Sequence, residues 1–137
     1  MANTLRLEIV TPEAKTFSDD VDMVVLPGIE GEMGVYPMHV PVMTELKPGE
    51  LRILQGGRET VMAVGQGFVE ITQDHVSVLT DMAVEASTID ENAVENAIAR
   101  AEEAMRLHQQ MTDEEHAKVE ASLEKLITQL AVKRQRR

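Results

Sequence analysis

The hydrophobic period of this chain changes once, at Ser87, and that change limits what the chain can fold into. Before Ser87 apolar and polar residues alternate, which is the period of a sheet with one buried face. After it apolar residues recur every three or four positions, which is the period of a helix. Leu5, Leu7 and Ile9 alternate with Arg6 and Glu8 until Thr11-Pro12 ends the run. Ala14 to Phe17 is a second run, broken at Ser18-Asp19-Asp20, and Val21 to Leu26 is a third. Lys47-Pro48-Gly49-Glu50 has the proline and glycine placement of a type II turn. Leu51, Ile53 and Gln55 lead to Gly56-Gly57, a favoured two-residue hairpin connection, and Thr60 to Val64 returns. Past Gly65-Gln66-Gly67, Phe68, Glu70 and Thr72 share one face and Val69 and Ile71 the other. Gln73-Asp74 turns again, Val76 to Thr80 follows, and Met82 to Ala86 adds a last short run. Nine or ten short strands spaced by turn signals predict an antiparallel sandwich or barrel over residues 1–86.

Residues 87–137 predict a two-helix hairpin, with helices over about 90–110 and 113–134. Thr88 with Glu91, and Thr112 with Glu115, have the spacing of capping boxes. The first helix carries Val94, Ala97, Ile98, Ala101, Met105 and His108 at helical spacing, the second Val119, Leu123, Leu126, Ile127 and Leu130. Asp113-Glu114-Glu115 at the start of the second helix and Lys133-Arg134 at its end both suit the helix dipole. The short link around Met111 permits an antiparallel pair. Two half-buried stripes gain little over the cost of ordering them. The hairpin is therefore expected to fold on itself and the sandwich, or to open into a rod of roughly 68 Å. A hairpin that only stabilises the sandwich is the alternative.

The stretch Leu26 to Met43, LPGIEGEMGVYPMHVPVM, contains Pro27, Pro37, Pro41 and three of the chain's eight glycines. Such punctuation forbids a helix and a long central strand, leaving two or three very short strands. Ile29, Met33, Val35, Tyr36, Met38, Val40, Val42 and Met43 are too apolar for a solvated linker. The stretch is either a docking surface with Glu30, Glu32 and His39 set into it, or a well-packed loop cluster at one end of the sandwich.

With no cysteine there is no disulfide or thiolate chemistry, which agrees with a reducing compartment. No apolar run is long enough to span a membrane, and MANTLRLEIV enters strand pattern without a signal-peptide run. The net charge of −11 disfavours general nucleic-acid binding. Residues 1–87 hold five Lys or Arg against fourteen Asp or Glu, whereas Lys133 to Arg137 carry +4. An acidic body with a basic tip can meet partners of both signs. There is no GxxxxGK[ST] loop, no HExxH and no nucleophile elbow. His39, His75, His108 and His116 lack ligand spacing. No active site, metal or cofactor is expected.

The sandwich-plus-hairpin order and four stretches together resemble the epsilon subunit of bacterial F-type ATP synthases over the whole chain. The stretches are Leu26 to Pro41, Leu46 to Ile53 (LKPGELRI), Gly67 to Ala83 (GFVEITQDHVSVLTDMA) and the junction Ile89-Asp90. The resemblance implies a non-catalytic rotor part, peripheral on the cytoplasmic face of the bacterial inner membrane. Its sandwich would bind the gamma subunit and sit on the ring of c subunits, with Glu30, Gly31, Glu32, Met33 and His39 towards the ring. Its hairpin would extend along gamma and restrain ATP hydrolysis, presenting Arg100, Arg106, Lys118, Lys125, Lys133 and Arg134 to acidic loops of the catalytic alpha and beta subunits. Some members bind ATP through I-D-x-x-R-A. Here Ile89 and Asp90 match, but the arginine position is Ala93, which removes a phosphate partner. Arg100 is the remaining candidate cation, and ATP binding is expected to be millimolar or weaker. A free-standing sandwich adaptor whose hairpin binds a partner protein is the alternative function.

Overall fold

The computed structural model describes residues 3–107 and 111–135. Ten strands follow one another before any α-helix: β1 (Leu5–Val10), β2 (Lys15–Val21), β3 (Met23–Gly28), β4 (Gly31–Val35), β5 (Val42–Leu46), β6 (Gly49–Gln55), β7 (Arg58–Val64), β8 (Gly67–Ile71), β9 (His75–Thr80) and β10 (Ala83–Glu85). They pair in the order β10-β7-β6-β3-β5-β8-β9-β1-β2, with β4 on β3. All pairs are antiparallel except β1 with β9. One layer is β10, β7, β6, β3 and β4, and the other is β5, β8, β9, β1 and β2.

Strand β3 joins the layers. Met23 to Val25 pair with β6, and Val24 to Gly28 pair with β4. Its last residue, Gly28, pairs with Leu46 of β5. Around that pair the Lys47 amide donates to the Pro27 carbonyl (2.9 Å) and the Ile29 amide to the Glu45 carbonyl (3.0 Å). The inward residues of both layers form one core of sixteen buried side chains, among them Leu7, Ile9, Leu26, Leu51, Ile53, Val69 and Val78. Aliphatic side chains fill it, as the aromatic-poor composition requires.

Two turn readings are corrected and a third holds. The run after Ala14 does not break at Ser18-Asp19-Asp20, because β2 continues to Val21. Those polar side chains are satisfied at the sheet edge: Arg6 donates to Ser18 and Asp20, and Gln55 donates to Asp19. Lys47-Pro48-Gly49 is not a type II turn, since Gly49 has no positive φ. Glycine eases the packing there, since a Cβ would stand a tight 3.3 Å from the Pro27 ring. Gly56 and Gly57, by contrast, have φ of 58° and 78°, the backbone of a type I′ hairpin.

A 3₁₀ turn (Ala86–Thr88) leads into α1 (Glu91–Leu107), and α2 runs over Asp113–Gln135. Thr88 does not cap α1, as its hydroxyl donates back to the Glu85 carbonyl at 2.8 Å. Asp90 is the cap, its carboxylate accepting from the Ala93 amide at 3.2 Å. Thr112 caps α2 through the Glu115 amide, and its hydroxyl also donates to the Glu115 carboxylate. His108 and the expected end of the first helix lie outside the described residues.

The hairpin lies on the outer face of β7 and β6 over a second, smaller cluster. Ala63, Met82 and Ala86 of the β layer and its exit meet Ile89, Val94 and Val132 there, with Ile98, Leu126 and Leu130 alongside. Thr128 and Val132 are buried while Ile127, expected on the apolar stripe, is half exposed. The Thr128 hydroxyl can be buried because it donates to the Glu124 carbonyl one turn back (2.9 Å).

Gly67 and Gly34 separate two kinds of close approach. A Cβ at Gly67 would lie 1.9 Å from the Leu79 carbonyl oxygen, and backbone cannot yield; at Gly34 it meets only the mobile end of Met23. Gly67→Ala is expected to cost about 3 kcal/mol in urea unfolding and Gly34→Ala under about 1 kcal/mol. Equal costs at the two sites would contradict this packing.

Candidate functional site

The register of β3, β4 and β5 decides which candidate residues meet. Gly28 pairs with Gly31, so Ile29 and Glu30 are the exposed tip of a hairpin. Gly31 stands at φ 132°, a backbone that favours glycine. Glu32 is exposed and ion-paired with Arg52 (3.2 Å), while Met33 turns in against the main core. Strand β4 then runs roughly 14 Å to the other end of the sandwich. There the loop 36–41 carries His39, whose ring Nδ1 lies 2.7 Å from the Val40 carbonyl. The structure thus brings Glu30, Gly31 and Glu32 together and leaves His39 at the opposite end.

That loop is stiff and greasy. Met38 has φ 70°, a left-handed backbone that is costly for a side chain of its size. It is held there by its amide, which donates to the Gln73 carbonyl in the β8–β9 turn (2.6 Å). Tyr36 is 60%, Met38 68%, Val40 74% and Met43 66% exposed. A second apolar patch lies towards the other end of the second layer's outer face, beyond the row Met43, Glu70, Ser77 and Glu8. Val10, Leu79, Phe68 and Glu45 lie in one cross-strand row. Phe68 and Leu79 are each 55% exposed. With Ile29, Lys47 and Pro48 they border a shallow concavity of about 760 Å³. The sequence reading did not place Phe68 and Leu79 in a docking surface. The available signal was a phenylalanine sharing the outward face with Glu70 and Thr72.

Beside this row lies a charged one. Glu8 accepts from the Lys15 ammonium (2.9 Å) and lies 3.1 Å from the His75 ring. The Lys15 hydrogen bond holds the Glu8 carboxyl below the usual carboxylate range, against a desolvation effect that raises it. Asp19 is lowered too, first by the Gln55 hydrogen bond and then by the Asp20 amide.

The hairpin's basic residues divide into two groups. Lys133 donates to the Ala86 carbonyl (3.0 Å), and Arg134 pairs with Glu95 (2.7 Å) and Glu91 (3.3 Å) of α1. Arg106 pairs with Glu103 one turn back. Arg100 and Lys118 are exposed and make no ion pair among the described residues. Lys125 lines a narrow niche with Asp81, whose Oδ1 is buried without a partner among the described residues. Of the nucleotide candidates, Ile89 is buried, Asp90 is spent as the cap, and Arg100 lies roughly 15 Å along the helix from it. The structure does not bring these three together. Among the described residues no group of three or more His, Cys, Asp or Glu could hold a metal ion, and no helix is long and apolar enough to cross a membrane.

These surfaces define a class: a β-sandwich with exposed apolar side chains on its outer face and loops, followed by a helical hairpin resting on its flank. Residues 4–86 match the family described as ATP synthase, Delta/Epsilon chain, beta-sandwich domain. The ATP synthase epsilon chain of Desulforamulus reducens is 42% identical over 95% of this chain and 97% of its own length. That of Dehalococcoides mccartyi strain BAV1 is 43% identical, with coverage of 97% and 94%. The chain belongs to the ATP synthase epsilon chain family. A chain in the Euglena gracilis mitochondrial ATP synthase (OSCP, F1 and c-ring) has the same fold, with a TM-score of 0.71 at 23% identity over 93% of this chain and 80% of its own. One in the central stalk and c-ring of the Tetrahymena thermophila mitochondrial enzyme scores 0.56 at 12% identity, over 94% and 96%.

A carboxyl lowered in the folded state adds stability that is present above its unfolded value and is lost as pH falls through its folded value. Glu8 is therefore expected to titrate below the ordinary glutamates by carbon-detected NMR, and to move up in Lys15→Ala. The β1–β2 edge should loosen only below the usual carboxylate range. An unmoved Glu8 titration in that variant would rule out Lys15 as the cause.

Proposed function

We propose that this chain is a non-catalytic rotor subunit in the central stalk of an F-type ATP synthase. It couples the c-ring to the gamma subunit during ion-driven ATP synthesis and restrains ATP hydrolysis through its hairpin. The observation that carries the reading is the stiff apolar surface of Tyr36, Met38, Val40, Met43, Phe68 and Leu79. So much exposed apolar area calls for a partner to cover it. Family membership, and the stalk and c-ring assemblies in which chains of this fold occur, point to gamma as that partner.

The hairpin tip Glu30-Gly31-Glu32, with Met33 behind it, faces the polar loops of the c-ring. His39, at the other end, belongs with the gamma-facing loop. Torque then passes through β strands tied by backbone hydrogen bonds. Residues 1–86 act as the head and 87–137 as a regulatory arm. When the arm extends, Arg100, Arg106, Lys118, Lys125, Lys133 and Arg134 meet acidic loops of the alpha and beta subunits. ATP is not its regulator, because Ile89, Asp90 and Arg100 form no common site. The protein works at the cytoplasmic face of the bacterial inner membrane, attached through the complex.

Truncation after Ala86 in the assembled enzyme tests the reading. ATP synthesis is expected to continue while ATP hydrolysis rises severalfold. Phe68→Asp in the full chain is expected to weaken gamma capture by at least about tenfold, the scale of one buried aromatic anchor. Unchanged gamma capture, or hydrolysis indifferent to the truncation, would refute it.

A further inference from the structure

The polar contacts that hold the hairpin closed are gathered at one place. Glu91 and Glu95 stand one turn apart on α1, so their carboxylates lie one above the other. The Arg134 guanidinium reaches from the last turn of α2 to both, with Nη2 2.7 Å from Glu95 Oε1 and Nε 3.3 Å from Glu91 Oε1. One residue earlier, Lys133 donates to the Ala86 carbonyl (3.0 Å), and one turn earlier Gln129 donates to Met82 Sδ (3.3 Å). Each contact joins the C-terminal end of α2 to the start of α1 or to the chain just before it. Arg100 and Lys118, nearer the hairpin's bend, make no ion pair among the described residues.

We infer that Arg134 is an intramolecular lock: in the closed hairpin Glu91 and Glu95 occupy the same guanidinium that an acidic partner surface requires. The arm therefore masks its own basic tip. Opening it and presenting Arg134 to a partner are one event, and the two α1 carboxylates compete directly with the partner's. The inference rests on the reading of the hairpin as a movable brake. Both ion pairs are about half exposed at the arginine, so the lock is weak and salt-sensitive. A weak lock suits a switch, because a partner offering two or three carboxylates can outbid it.

Dyes on Gln73→Cys and Ala117→Cys in the full chain, which has no native cysteine, report opening by single-molecule energy transfer. The E91Q/E95Q variant and R134Q are each expected to raise the open fraction about two- to tenfold. Raising salt from 50 mM to 1 M should do the same for the unaltered pair and little for either variant. Exchanging the charges, E95R with R134E, should restore closure, which separates the ion pair from any loss of helix. In the assembled enzyme E91Q/E95Q keeps every cation of the arm and should inhibit hydrolysis more strongly, whereas R134Q opens without that gain. An open fraction unmoved in E91Q/E95Q overturns the lock. An open fraction that rises while hydrolysis is unaffected supports the lock and overturns the braking role instead.

Discussion

The two layers of the sandwich are one sheet because β3 belongs to both. Pro27 and Gly28 make that possible. Gly28 admits the close approach of Gly31 and Met33, which a Cβ would block at 2.9 Å and 3.2 Å. The Pro27 carbonyl is free to take the Lys47 amide from the opposite layer. A strand with a full set of side chains and amides would continue in its own sheet. This one is handed across, and the handover sets the Glu30 tip beside the end of β5. From there β4 and β5 each run the length of the sandwich to the loop 36–41. One crossing therefore fixes both ends of the molecule relative to each other.

That geometry explains what could and could not be read in advance. The period-two runs and the Gly56-Gly57 turn located the strands, since local sterics decide them. The switch at Ser87 and the Thr112 cap located the helices. The Leu26 to Met43 stretch was legible as a short, rigid, apolar segment. It was not legible that its two halves point to opposite ends, since that follows from pairing between residues 29 apart, such as Val42 with Ile71 and Val24 with Ile53. Ser18-Asp19-Asp20 misled for a similar reason. Their polarity is ordinary turn chemistry until Arg6 and Gln55, from other strands, satisfy it. Thr88 lost the cap to Asp90 because the 3₁₀ turn consumed its hydroxyl. Both have the right side chain, and only the path of the chain out of β10 chooses between them.

The exposed apolar row shows the same division between local and distant causes. Phe68 and Leu79 are separate outward positions in sequence, each unremarkable alone, because singly exposed apolar residues are common. Register makes them neighbours and sets Val10 beside them and Ile29 near their edge. An apolar surface of this kind arises from pairing, so a linear reading sees its members and misses the patch.

The head and the arm do not share a core. Sixteen buried side chains lie between the two layers, and none belongs to a helix. The cluster beneath the hairpin is a separate six, to which the head contributes Ala63 and Met82, with Val61 and Val84 packed alongside and Ala86 at the junction. Losing that seam exposes Val61, Ala63, Met82 and Val84 on the outside of the sandwich and leaves the sixteen interlayer side chains where they are. Besides this apolar seam, the polar contacts that hold the arm down among the described residues are collected towards its C-terminal end. The proposed opening would separate this seam and these polar contacts together, with Ile89 after the 3₁₀ turn as the connection that remains. Because the two clusters share no buried side chain, that opening would ask no repacking of the interlayer core.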